Sequence, residues 1–174
     1  MLIEQTIRFV LSNFTLTFLV VGLAFSAVGI LRASRRDAAA VAEKLISWFT
    51  FFSIGVSFFY NFVMHVFFGE MTAAFIGWAD SPFQFEVGMA SLGFAVVGFL
   101  AAFGSFGLRL AAILGSSIFT LGAAGGHVRD MVEAGNFAPG NAGVIFYTDI
   151  LVPLFGFLLL WFKKRNPLTG RDGG

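Results

Sequence analysis

The sequence predicts an all-α fold: a polytopic transmembrane helical bundle of about five spans, amino terminus outside and carboxyl terminus cytosolic. Composition is the first reason. Hydrophobic residues make up 57% of the chain and charged residues only 12%, where soluble domains carry about a quarter charged residues. A soluble fold of this length has no interior large enough for that apolar surface. The second reason is length, because the apolar stretches run close to the roughly 20 residues that cross a bilayer as a helix. The third is charge: lysines and arginines gather in alternate connectors, as cytosolic segments do.

The first span is predicted at residues 9–31, and Gly22, Ser26 and Gly29 give it a close-packing face. It is too long for a signal-peptide core and is followed by Arg32, Arg35 and Arg36, not by an Ala-x-Ala site, so it reads as retained. The second span covers residues 45–68. Residues 69–80 read as an interfacial helix or an extension of that span, with Trp78 as a headgroup-level anchor. Ser81-Pro82-Phe83-Gln84 fits a capping box, with Ser81 as N-cap and Gln84 reaching back, and opens a third span at 85–106. The glycine-rich break at 104–107 separates it from a fourth span at 108–128, and Arg109 beside the break reads as snorkelling to the headgroups. Pro139-Gly140 marks a turn. Asn141 then reads as a cap for the fifth span at 143–162, which Lys163, Lys164 and Arg165 close. A single bundle domain therefore occupies residues 1–165, with a mobile polar tail at 166–174.

Five spans put the first connector and the tail on one side, together with Arg109. Nine of the eleven basic residues then face the cytosol, leaving Arg8 and Arg129 outside. Dropping any span would part the first connector from the tail. The net charge of +1 gives no reason to expect nucleic acid as a partner, and the lipid bilayer is the expected one. The absence of cysteine excludes disulfides, thiolate-held iron–sulfur clusters and covalent haem, while leaving haem b held by histidines open.

Ionisable groups within spans are costly and need a partner or a cavity. His65, Glu86, His127 and Asp149 fall at similar depth toward the outer side of four different spans. Stepping inward from His65 at helical spacing gives Asn61, Ser57, Ser53 and Thr50, a polar stripe on one face. Glu86 lies about a turn inside its span, with Ala90, Gly93 and Val97 continuing its face. Asp149 lies deepest, and Pro153 cannot donate to its carbonyl. Two histidines and two carboxylates suit a divalent metal, Zn, Mn or non-haem Fe, with Asn61, Asp130 and Tyr147 orienting the ligands. Plainer readings stand beside this one. A terminal histidine is often solvated at the headgroups, and Glu86 near a helix amino terminus is favoured by the helix dipole alone.

The run Gly77-Trp78-Ala79-Asp80-Ser81-Pro82-Phe83-Gln84-Phe85-Glu86-Val87-Gly88, with Gly126-His127 and Asn136-Phe137-Ala138-Pro139-Gly140-Asn141-Ala142-Gly143, resembles an uncharacterised family of small bacterial polytopic membrane proteins. The resemblance implies a multi-pass protein of the bacterial inner (plasma) membrane and carries over no activity. A looser likeness to DoxX-type membrane proteins rests on size and span number.

The function expected from the sequence is a polar pocket in the outer half of the bundle, binding a metal or a small ligand through His65, Glu86, His127 and Asp149. The rival readings are a small proton-coupled transporter using Asp149, a haem b protein with both histidines as axial ligands, and an accessory or structural subunit, as a homo-oligomer or within a larger membrane complex.

Overall fold

A computed structural model describes residues 2–167, and the polar tail expected from 166 onward lies, past residue 167, outside the described residues. Helix α1 spans Leu2–Ser12 and buries none of its residues. Its Ile3, Ile7 and Val10 lie on one face, and Glu4 pairs with Arg8 at 3.0 Å beside that face, the pattern of a helix lying in a membrane interface. Helix α2, Phe14–Leu31, starts only after a break at Asn13, where φ is −115° and ψ 40°. The Asn13 side-chain amide donates to the Phe9 carbonyl at 2.8 Å. The first span is therefore shorter than the sequence suggested, because Asn13 closes off α1 with its own side chain.

Helix α3, Ala38–Phe67, is the centre of the bundle. Asp37 caps it by accepting from the Ala40 backbone N–H at 2.9 Å. Within it, Thr50–Val56 widens into a π-helical segment. A separate short helix α4, Gly69–Ile76, ends on Gly77, whose φ of 84° closes the helix in the left-handed region. Helix α5 covers Phe83–Ala102 and α6 covers Phe106–Glu133, the latter capped by Ser105. A single turn α7, Pro139–Ala142, precedes α8, Val144–Arg165. Among the described residues, five helical units are long and apolar enough to cross a membrane: α2, α3, α5, α6, and α7 with α8.

The close contact in the bundle is between α3 and α5. A Cβ on Gly98 would stand 2.6 Å from the Gly55 backbone nitrogen, so the two backbones touch there. The inward face of α5 is Gln84, Gly88, Ser91, Ala95, Gly98 and Ala102. The face that carries Glu86 and Gly93 points outward: Glu86 is exposed and a Cβ on Gly93 would meet nothing within 4 Å. Gly22 and Ser26 pack α2 onto α3, against the Trp48 carbonyl and the Phe52 side chain. The apolar core is Ile46, Phe49, Ile54, Phe58, Ala95, Ile113, Leu159 and Leu160.

The end of the bundle bearing the basic residues is tied by ions. Arg109 is only 3% exposed and does not snorkel. Its guanidinium donates to both Glu43 carboxylate oxygens, at 2.7 and 2.8 Å, to Ser47 Oγ at 2.9 Å and to the Ala101 and Ala102 carbonyls at 3.0 and 3.1 Å. Lys163 Nζ adds a contact to Glu43 at 2.9 Å. One carboxylate thereby joins α3, α6 and α8, and Arg109 donates to the last two carbonyls of α5.

Candidate functional site

At the opposite end, two buried histidines are each fixed by an amide. His65, in the last turn of α3, has Nδ1 2.6 Å from Gln84 Oε1. Gln84 is buried in the first turn of α5, whose start carries no side-chain cap. The capping-box expectation is thus corrected: Gln84 turns inward to His65, and Ser81 instead donates its N–H to Asp80 Oδ1.

His127, in α6, has Nδ1 2.6 Å from Asn141 Oδ1. Asn141 is fully buried in α7 and is not a cap for α8. Its Nδ2 donates to the Asn136 carbonyl at 2.8 Å and to the His127 carbonyl at 3.4 Å. Those two acceptors decide the amide's orientation, so its oxygen must face the imidazole. A carbonyl oxygen only accepts, hence His127 Nδ1 carries a proton, and the neutral ring presents Nε2 as an acceptor. Asp149 Oδ2 stands 3.7 Å from that Nε2. The separation is too long for a hydrogen bond and short enough for an ion pair when the ring is protonated. Beside it, Thr148 Oγ1 meets Thr15 Oγ1 at 2.6 Å and joins α8 to α2.

A ring of rim contacts holds the connectors over this site. Asp130 accepts from Trp78 Nε1 at 2.9 Å and from Asn136 Nδ2 at 2.5 Å. Asn136 Nδ2 also donates to the Ile76 carbonyl at 2.9 Å. The Trp78 ring lies 6.1 Å from the His127 ring. Gly77 is required twice here, by its positive φ and because a Cβ would stand 2.5 Å from Asn136 Oδ1.

His65, Gln84, His127 and Asp149 line one cavity of about 920 Å³, with Asn61, Thr72, Tyr60 and Trp78. The rest of its wall is mainly apolar, including Phe58, Met64, Met71, Phe75, Phe119 and Val152. Arg8, Leu11 and Phe14 bring the α1–α2 junction to its rim. Of the four residues singled out in the sequence, His65, His127 and Asp149 share this cavity. Glu86 is exposed on the far side of α5 and does not. Asn61 donates to Ser91 Oγ at 2.9 Å and links α3 to α5, Asp130 belongs to the rim, and Tyr147 is 59% exposed, away from the site.

Among the described residues, no three of His, Cys, Asp or Glu are grouped to hold a metal ion. The residues present do not fit the expected four-ligand site, because Glu86 is turned away. Gln84, Asn136, Asn141 and Trp78 were missed as site residues. Their one sequence signal was their place in the loop runs that flank the third and fifth spans.

The profile of DUF6790, described as a family of unknown function, matches residues 12–169, which takes in every long helix and leaves out α1 but for Ser12. No curated protein and no solved structure matches the chain.

Proposed function

The chain belongs to DUF6790, and we propose that it binds a lipid-soluble small molecule, with an apolar body and a hydrogen-bond-donating head, in the cavity between the two histidines. The observation that carries this reading is the pair His127 and Asp149. Both are buried, and both sit in the wall of a cavity of about 920 Å³ that is otherwise mainly apolar. Binding sites for small molecules combine an apolar wall with a few fixed polar groups, and here the His127 imidazole and the Asp149 carboxyl group supply them. A hydroxyl or ammonium head satisfies them. Positive-inside counting supports a cavity on the side away from the cytosol, because the basic residues concentrate at the other end.

The test is native mass spectrometry of the protein released from detergent, followed by solvent extraction. A stoichiometric adduct of amphiphile mass is expected on the native chain and absent from a His127→Ala/Asp149→Asn variant that keeps its helical content. An adduct retained by that variant, or none on either protein, would remove the reading. Stoichiometric Zn, Mn or Fe in the same sample would instead favour the metal-binding expectation.

A further inference from the structure

Four hydroxyl-bearing residues lie beyond the inner end of the cavity, in otherwise mainly apolar surroundings. A void of about 20 Å³ lies deeper in the bundle, walled by Ser53, Ser116, Ser117 and Thr120 together with apolar side chains and Pro153. Ser53, Phe58, Thr120 and Val152 line both this void and the large cavity, so the two adjoin. Ser53 is 4% exposed. Its Oγ is the one buried side-chain polar atom among the described residues with no hydrogen-bond partner.

Its neighbours show what it lacks. Thr50 Oγ1 donates to the Ile46 carbonyl at 2.9 Å, Ser116 Oγ to Ala112 at 2.8 Å and Thr120 Oγ1 to Ser116 at 3.2 Å. Each uses the carbonyl four residues back, the usual escape for a hydroxyl in a helix. Ser53 lies inside the π segment Thr50–Val56, where the wider turn changes that register, and it makes no such bond. Across the void, Pro153 has no N–H to give the Asp149 carbonyl.

Leaving a buried hydroxyl unpaired is costly, and a polar void of at least about 10–15 Å³ holds one water. We infer that the void is a site for a single ordered water molecule bound to Ser53 Oγ. The water restores the partner that the π segment removes. The void adjoins the Asp149 cavity, and Phe49 and Ile113 of the apolar core form part of its wall. This site stands on the Ser53 hydroxyl and does not depend on what the large cavity binds.

Solid-state NMR in lipid vesicles tests it on the native chain, by following polarisation transfer from water to assigned side chains. Transfer to Ser53 is expected to build up as fast as to His127, with none reaching Ile46 or Leu159. Ser53→Ala is expected to lower the melting temperature, equally in sodium and in choline buffer. No transfer to Ser53, or a Ser53→Ala protein that melts higher, would mean a dry void and overturn the inference. A melting temperature raised by sodium in the native chain but not in Ser53→Ala would overturn it too, by making the occupant a cation.

Discussion

Arg109 and Glu43 form a two-pronged, largely buried ion pair, and removing Arg109 leaves Glu43 with Lys163 alone. Breaking a buried pair costs about 3–5 kcal/mol. Glu43 is partly exposed and keeps Lys163, so Arg109→Met is expected at the lower end, about 3 kcal/mol, in denaturant unfolding. Asn141 is the matching test at the other end. Asn141→Ala strands the His127 Nδ1 proton and removes the donor to two carbonyls, and a loss of about 2–3 kcal/mol is expected in the same assay. These residues also mark where sequence reading stops. His65, His127 and Asp149 stand out because ionisable groups are rare in apolar runs. Gln84 and Asn141 do not, because a neutral amide in a loop run reads equally well as a cap. Glu43 lies 66 positions from Arg109, and nothing local tells that the two meet.

Among the elements, α3 and α5 are held together by their missing side chains. Gly98→Ala puts a Cβ against the Gly55 backbone, which cannot retreat, and an overpacking cost of about 1–3 kcal/mol is expected. Gly93→Ala, on the open face of the same helix, is expected to gain about 0.5–1 kcal/mol from helix propensity. Thermal melts of the pair decide which face packs, and equal shifts would contradict the α5 orientation. The periodicity of α5 could not settle this in advance, because small residues occur on both faces. The π segment was equally hidden, since its register is fixed by tertiary contact and not by any local residue pattern. The entry to α3 is a simpler case. The Ala40 backbone N–H, and then the Arg35 guanidinium, hold the Asp37 carboxyl below the usual aspartate range. A lowered folded pKa contributes stability above the unfolded value, and that stability is lost as pH falls through the folded one. Asp37→Ala should therefore melt below the native chain at neutral pH. The gap should close as the pH is taken under the ordinary value of 3.8.

For the whole molecule, the two ends differ in kind. One end is closed by a buried ion cluster above an apolar core, and the other opens into a cavity with histidines in its wall. Which end is expected to face the cytosol depends on where the basic residues near the span ends lie. Arg109 and Lys163 are taken up by Glu43, yet Arg32, Arg36, Lys44, Lys164 and Arg165 remain at the same end without an acidic partner among the described residues. At the histidine end, Arg8 is paired with Glu4 and Arg129 with Glu133. Basic residues near span ends are retained in the cytosol while acidic ones contribute little, so the cluster end is expected inside. The chain has no cysteine, which makes single-cysteine labelling clean. Ser34→Cys lies in the exposed connector before α3 and Ala134→Cys in the exposed connector after α6. On intact cells, a membrane-impermeant maleimide is expected to label Ala134→Cys at once, and Ser34→Cys only after the membrane is opened. The reverse pattern would turn the cavity toward the cytosol. A ligand would then reach His127 and Asp149 from the inner leaflet, with the same cavity and the same chemistry.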